Sequence, residues 1–427
     1  MRTFPINAVL AALSLLLSGV CVMAQTPAAP APAANASAPA PAGATVRPDL
    51  GKQLIDAQTL LNDKKYAEAR ARLKLADAFA DKTPYENYLI ALLSMNVAVN
   101  EDDAPNSAKY MEQLLSLNAT GQWAKPTEII DALQNVGVVH YRSKDYAQAA
   151  SWMERNLKEG GNSTAAKNVR IQSYAMAGNF LRTTELAEEE IALAKKEGRA
   201  PAQPYLELLA QVRSQLKDVA GATRALELLV TYYPSKQYSQ SLINRLWTRP
   251  DLTPALHLDV FRLAFFTGTL AETNDYQEYI DFAQRGGFSA EALTAYDKGV
   301  EVGLMGTGAN AEAHKKLRSK LVAEAEQDKK TAAADIANAL KKPNGVALVN
   351  VGFNLVGQGQ FDKGIELIEK GLAKGLPKRP EDARLRLAVA QVLAGQTDKA
   401  KQTFATVSGP NGLDDLVRYW LLAIRKP

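Results

Sequence analysis

The amino-acid sequence predicts an all-α solenoid, in which antiparallel helix hairpins stack one after another. Three observations predict this fold class. Ala and Leu dominate while aromatic residues make up only 7%, a composition that suits helices better than sheets. A spaced pattern of large and small side chains recurs along the chain. A second helix with a small residue at a fixed distance precedes most copies of that pattern.

The first element in chain order is a predicted signal peptide, residues 1–24. Arg2 supplies the positive start, residues 8–23 form a short apolar run, and Val22 and Ala24 give the small residues of a cleavage site. The run is short for a membrane span, which needs about 20 apolar residues. Cleavage after Ala24 predicts export to the periplasm and leaves no transmembrane segment in the mature chain.

The only cysteine, Cys21, lies inside this signal. Lipoprotein anchoring through Cys21 is not expected, because Val20 stands where a lipid-attachment motif usually has Gly, Ala or Ser. Signal cleavage therefore removes the only thiol, which suits an oxidising compartment. Residues 25–48 are rich in Ala and Pro and predict a disordered linker.

The folded part begins at the repeat, which is clearest in KDYAQAASWMERNL, residues 144–157. Tyr146, Ala149, Met153 and Asn156 stand at offsets 0, 3, 7 and 10, which places them on one face of a helix. Small residues let two antiparallel helices approach closely, and bulky residues fill the space towards the next hairpin. Five more copies begin at Tyr66, Phe180, Val219, Phe361 and Thr397. Nine positions before the residue at offset 0, four of the copies have a small residue: Ala57, Gly137, Gly352 and Ala388.

The strength of the pattern divides the folded part. Residues 49–234 predict N-terminal hairpins, although the repeat pattern is blurred over 85–118. Residues 235–343 predict divergent helical hairpins, and 344–427 predict C-terminal hairpins that end in a capping helix.

The period, the small residues at the close contact and Pro234 resemble the tetratricopeptide repeat (TPR) family. The resemblance implies a right-handed superhelical solenoid. Its hairpins stack because one hairpin cannot bury its apolar face alone. Segments 190–238 and 371–407, with RYWLLAI at 418–424, resemble the periplasmic TPR proteins that accompany TonB–ExbB–ExbD systems. The shared features are an AxKxGxxP entry, a VxxYPxKxY exit and a KRPxxAxLxLxxA hairpin before a Trp-containing helix.

Charge and motif content argue against nucleic-acid binding and catalysis. The net charge is +4, and acidic and basic residues are interspersed, as in KKLRSKLVAEAEQDKK at 315–330, so we expect a solvated helix face and no nucleic-acid partner. His140, His257 and His314 are far apart in sequence, and His140 is expected in the core. No nucleophile elbow, phosphate loop or metal-binding HExxH motif occurs. We expect no enzyme activity, cofactor or metal.

A partner-binding groove is implied by the family resemblance, because the first helix of each TPR hairpin lines the concave surface. Side-chain amides there can donate to and accept from an extended peptide backbone. An idle, solvated polar face remains the alternative. The positions expected to face the groove are Gln134, Val138, Tyr141, Arg142, Asn168, Gln172, Met176, Glu207, Gln211 and Gln215.

These features predict a non-catalytic periplasmic scaffold or adaptor that binds a peptide or helix of other envelope proteins. The family resemblance implies an association with a TonB-type uptake system. The alternative is a helical substrate-binding module or enzyme accessory that acts on peptidoglycan or another envelope polymer. That alternative would require a catalytic carboxylate in a separate lobe, and the sequence shows no such lobe.

Overall fold

A computed structural model describes residues 45–425, and over these residues the chain contains twenty α-helices, two short 3₁₀ segments and no strand. The predicted signal peptide and most of the predicted linker lie outside the described residues. The helices are α1 Pro48–Asn62, α2 Tyr66–Asp77, α3 Pro84–Asn100, α4 Ala104–Gly121, α5 Pro126–Arg142, α6 Tyr146–Lys158, α7 Thr164–Met176, α8 Phe180–Lys196, α9 Gln203–Gln215, α10 Val219–Tyr232, α11 Lys236–Trp247, α12 His257–Phe266, α13 Thr273–Arg285, α14 Ser289–Glu301, α15 Ala311–Lys341, α16 Val346–Gly357, α17 Phe361–Lys374, α18 Pro380–Leu393, α19 Thr397–Phe404 and α20 Leu413–Ala423.

Consecutive helices pack as hairpins, and the hairpins stack on their neighbours. The pairs α1–α2, α3–α4, α5–α6, α9–α10, α13–α14, α16–α17 and α18–α19 make the most extensive helix contacts of their segments. The prediction of an all-α helical solenoid is confirmed. The right-handed superhelix that the resemblance implies stays a prediction.

In every predicted copy, the residue at offset 0 is the first residue of a helix. The reason lies in the preceding turn, where the residue two positions earlier has a positive φ and reverses the chain. These residues are Lys64, Lys144, Gly178, Lys217, Gly359 and Gly395.

The same turn shows that two blurred segments are also copies of the repeat. Asp102 has φ 54° and Gly287 has φ 76°, and each stands two residues before a helix, α4 and α14 respectively. Offsets 0, 3, 7 and 10 are all buried in both helices. In α4 they are Ala104, Ser107, Met111 and Leu114, and in α14 they are Ser289, Ala292, Tyr296 and Gly299.

Small residues do permit close helix approach, most clearly between α16 and α17. A Cβ atom added to Gly352 would lie 2.7 Å from the carbonyl oxygen of Gly364, and one added to Gly345 would lie 1.7 Å from that of Gly371. Both distances are far below ordinary contact, so these backbones touch where only glycine fits.

The chain forms two compact units, divided after Leu186. In the first unit, the first helices of successive hairpins lie side by side, with α1 against α3, α3 against α5 and α5 against α7. One apolar cluster joins α1, α2 and α3, and a second joins α3, α4, α5 and α6.

The second unit closes on itself, because its last helix, α20, returns to pack against α10, α11 and α12. Arg418 Nε donates to Glu227 Oε1 at 3.0 Å, and the rings of Phe266 and Trp420 lie 5.1 Å apart. The predicted capping helix therefore covers early helices of this unit as well as the last hairpin. The predicted domain boundaries after residues 234 and 343 stay predictions.

Within residues 45–425, no helix is both long enough and apolar enough to cross a bilayer.

Candidate protein-binding site

Seven of the ten predicted groove residues lie in the first unit, on the neighbouring helices α5 and α7. Hydrogen bonds join the two helices along this strip. The Tyr141 hydroxyl donates to Gln172 Oε1 at 3.1 Å, and the Ser163 hydroxyl donates to Gln134 Oε1 at 2.6 Å. Ser163 also caps α7 by accepting from the backbone N–H of Ala166. We call the surface formed by Gln134, Val138, Tyr141, Arg142, Asn168, Gln172 and Met176 the α5–α7 strip.

The α5–α7 strip combines apolar surface with polar groups. Met176 is 44% exposed, whereas Val138 is half-buried against Met153 and Val169. Gln172 accepts the Tyr141 hydroxyl through Oε1, and its NH₂ group forms no hydrogen bond to another described residue. Arg142 forms an exposed ion pair with Asp102 at 3.2 Å. The strip therefore offers an amide donor beside an apolar contact surface.

Tyr141 is the anchor of the strip. Burial, and then the neighbouring Tyr146, raise the pKa of its phenol, so the group stays a neutral donor over the physiological range. Its ring packs edge-on against Tyr146, with 5.5 Å between the centroids. The hydrogen bond to Gln172 thus comes from a fixed side chain.

The other three predicted residues, Glu207, Gln211 and Gln215, lie on α9 in the second unit. Glu207 accepts hydrogen bonds from the Tyr238 hydroxyl and from Gln203 Nε2. Burial and the contact with Glu207 raise the pKa of Tyr238 to about 12. Glu207 thus serves an internal network between α9 and α11, while Gln211 is half-buried and Gln215 is exposed.

The histidines are separate from one another and serve internal contacts. His140 is buried, as expected, and its Nδ1 lies 3.1 Å from Asp145 Oδ2. His314 is buried as well, with the Gly306 N–H donating to its Nδ1 at 2.9 Å and Gln277 at its Nε2. Over residues 45–425, no three His, Cys, Asp or Glu side chains come together as a metal site would require.

A buried ionic network in the second unit was not anticipated. Arg262 donates to Asp259 Oδ1 at 2.6 Å and to both oxygens of Glu291 at 2.8 Å, and its guanidinium carbon lies 4.1 Å from the centre of the Phe353 ring. Tyr279 donates its hydroxyl to Glu291 at 2.8 Å. Burial alone would lower the pKa of Arg262, but the carboxylates of Glu291 and Asp259 hold it above the ordinary value.

This network joins α12, α13, α14 and α16. Asp259 and Arg262 are buried and Glu291 is half-buried, so the network connects four helices inside the second unit. A signal for it existed in HLDVFRLAFF, where an acid and an arginine three residues apart interrupt an apolar helix. Charged residues are rarely buried unless they are paired. The partner Glu291 is 29 residues away, and no local pattern points to it.

A cavity of about 640 Å³ lies in the first unit between α2, α3 and α4. None of the ten predicted groove residues lines it.

Comparisons with known proteins identify no family. No family model and no curated protein matches the sequence. Among solved structures, the TPR domain of P58(IPK) shares 13% identity, with 88% of this chain and 98% of that chain covered and a TM-score of 0.23. Naa15/Naa10 bound to HypK-THB gives 14% identity, 86% and 65% coverage and a TM-score of 0.29. Yeast Tom70 gives 14%, 88% and 95%, and 0.21. At these identities and TM-scores, the likenesses carry no inference about function.

Proposed function

We propose that this chain is a non-catalytic scaffold of the bacterial cell envelope that binds a segment of a partner protein along the α5–α7 strip. The observation that supports the proposal is the pairing of an exposed apolar side chain, Met176, with the half-buried amide of Gln172 one helical turn earlier, whose NH₂ group forms no hydrogen bond to another described residue. An apolar anchor beside backbone-compatible donors is the arrangement by which peptide segments are bound.

The proposed location is the periplasm, and the proposed partners belong to a TonB–ExbB–ExbD system. Residues 1–24 support the location through their signal-peptide pattern, and the quoted scaffold motifs support the partner class through their resemblance. Within residues 45–425, no observation favours the alternative, an accessory that acts on peptidoglycan.

The test measures binding of the chain, without its first 24 residues, to the periplasmic segments of the TonB and ExbD proteins of the same genome. Isothermal titration should give a micromolar Kd for one of them. Met176→Glu should weaken binding at least about tenfold, equivalent to about 1.4 kcal/mol, because it places a carboxylate in an apolar contact.

Leu181→Glu is the matched control, since Leu181 is 69% exposed on α8, outside the strip. It should bind like wild type. If TonB and ExbD do not bind, in-cell crosslinking decides between partner and site. Trapping of another envelope protein, lost in Met176→Glu, would reject only the TonB association. Capture that persists in Met176→Glu would reject the strip.

A further inference from the structure

The cavity between α2, α3 and α4 has the volume of a binding site. Its floor is the apolar face of α3, with Ile90, Ala91 and Val97, and Leu73 of α2 lies beside them. Its volume of about 640 Å³ falls in the range of about 300–1,000 Å³ that ligand pockets occupy.

The cavity results from the sequence of α4 and is not a general feature of the repeat. The residue at offset 6 of the repeat is Tyr110 in α4 and Trp152 in α6. Trp152 is only 4% exposed and belongs to one apolar cluster with Met111 and Leu114 of α4. Arg155 covers the Trp152 ring at 4.4 Å and pairs with Glu112 of α4. The junction between α4 and α6 is therefore filled, whereas Tyr110 is half-buried and lines an open space towards α2.

Four polar side chains in the cavity lack hydrogen-bond partners among the described residues. They come from the floor and from the α4 wall, and Ser94 is the most notable because it interrupts the apolar run IALLSMNVAV of α3 and is only 8% exposed. Gln113 and Ser116 are exposed and Asn87 is half-buried, so their polar atoms are available to a ligand. Amides and hydroxyls both donate and accept, which suits a peptide backbone. The four are Asn87, Ser94, Gln113 and Ser116.

The acidic side chains that line the cavity have partners within the chain, whereas two of its lysines have no carboxylate partner. Each acid has an internal partner: Asp77 pairs with Lys82, Glu101 with Arg70, and Asp103 caps α4. Among the described residues no carboxylate lies within ion-pair distance of Lys74 or Lys109, which are both exposed, although Lys109 Nζ lies over the Tyr110 ring at 5.3 Å from its centre. These two lysines stand on opposite walls, on α2 and α4. A ligand that carries carboxylates at both edges of an apolar stretch complements this arrangement.

We infer that this cavity is a second binding site, which takes a partner-protein segment whose apolar side chains are flanked by Asp or Glu. The apolar side chains lie on Ile90 and Val97, Ser94 and Gln113 bond the segment's backbone, and Lys74 and Lys109 pair with its carboxylates. The inference goes beyond the proposed function, since it concerns different helices from the α5–α7 strip.

The test pans a phage library of random 12-residue peptides against the chain without its first 24 residues. Enriched peptides should carry Asp or Glu on both sides of an apolar stretch. Measured by fluorescence anisotropy, a synthetic copy should bind at least tenfold more weakly to Lys74→Glu/Lys109→Glu. The matched control, Lys52→Glu/Lys158→Glu, changes the net charge equally at two exposed lysines outside the cavity and should bind like wild type.

A second variant tests the cavity itself. Ser94→Leu adds apolar bulk to the floor, so the peptide should lose at least tenfold in affinity while circular dichroism remains that of wild type. The proposal is overturned if no peptide is enriched, if enriched peptides lack acids, or if the lysine double variant binds them undiminished. Peptides whose binding is lost in Met176→Glu would bind the α5–α7 strip instead. That result would overturn the cavity proposal and leave the proposed function standing. A dimer in sedimentation that is lost in Lys109→Glu would assign the cavity to a second copy and would also overturn the proposal.

Discussion

The carboxylate of Glu86 holds Arg47 at three points. The Arg47 backbone N–H and Nε donate to Glu86 Oε1 at 2.9 and 3.0 Å, and the guanidinium NH₂ donates to Oε2 at 2.9 Å. Arg47 is the N-cap of α1, and Glu86 belongs to the capping box of α3 with Thr83. One side chain therefore fixes the start of α1 to the second hairpin.

Glu86→Gln should destabilise the first unit by about 2 kcal/mol, because charge-assisted hydrogen bonds contribute about 1.5–3 kcal/mol. Urea unfolding followed by circular dichroism measures the difference. Glu128→Gln is the matched control: it occupies the same position in the capping box of α5 but lacks an arginine partner. We expect it to cost less than about 0.5 kcal/mol, as an exposed substitution does. Equal losses in the two variants would contradict the role of Arg47.

Glu86 should also give the first unit a characteristic pH dependence. The hydrogen bonds from Arg47 are the main cause that lowers the pKa of Glu86 to about 2. Its contribution to stability is therefore fully present above the unfolded value of about 4.3 and is lost as the pH falls towards 2. Stability curves from pH 6 to pH 2 should fall less steeply in Glu86→Gln than in wild type. Parallel curves would show that this carboxyl does not titrate as described.

Arg262→Met should be among the most damaging single substitutions in the second unit. It leaves the buried Asp259 and the half-buried Glu291 without their cation, and breaking such a pair costs about 3–5 kcal/mol. Arg262→Lys keeps the charge but loses the two-pronged contact with Glu291, so we expect an intermediate loss of about 2 kcal/mol.

Arg285→Met is the matched control for the network, since Arg285 is exposed on α13 and its ion pair with Asp281 spans 3.8 Å. Exposed pairs contribute about 0–1 kcal/mol, so thermal unfolding should hardly change. A small effect of Arg262→Met would mean that water enters the network and solvates the two acids.

The close contact of α16 and α17 predicts opposite effects for two glycines of one helix. Gly352→Ala places a methyl group 2.7 Å from the Gly364 oxygen and should cost about 1–3 kcal/mol by overpacking. Gly357→Ala meets nothing closer than 3.5 Å, so it should stabilise by up to about 1 kcal/mol through helix propensity. Denaturant midpoints of the two variants should move in opposite directions from wild type. A gain in Gly352→Ala would contradict the backbone contact.

The start of the second helix of each hairpin was predictable, because the residue at offset 0 directly follows a local turn that the sequence encodes. The α4 copy is hard to recognise because its residue at offset 0 is the small Ala104, where the predicted copies have Tyr, Phe, Val or Thr, although Ser107, Met111 and Leu114 keep the spacing. The pattern is recognised mainly by its larger side chains, so alanine at offset 0 makes the copy blurred. The same segment forms the cavity, because its outward face is polar.

Contacts between residues distant in sequence were not predictable. The bond between Tyr141 and Gln172 follows from the side-by-side position of α5 and α7, which the repeat implies without specifying the side-chain pairs. Arg249 and Asp415 pair across 166 residues, and no periodic pattern encodes that return. The helix faces of the candidate strip thus follow from the repeat, whereas its hydrogen bonds, the cavity and the closure of the second unit depend on contacts that no local pattern specifies.

The closure of the second unit predicts that damage to α20 spreads to helices nearly two hundred residues earlier. Trp420 is almost fully buried between Phe266 and Phe404, so Trp420→Ala should cost about 3–5 kcal/mol. Because α20 packs on α10, α11 and α12, amide hydrogen exchange should accelerate over 219–266 as well as over 413–423. Leu393→Ala, at an exposed site on α18, should leave both segments protected as in wild type. Faster exchange confined to 413–423 would show that α20 only caps the last hairpin and that the earlier helices are stable without it.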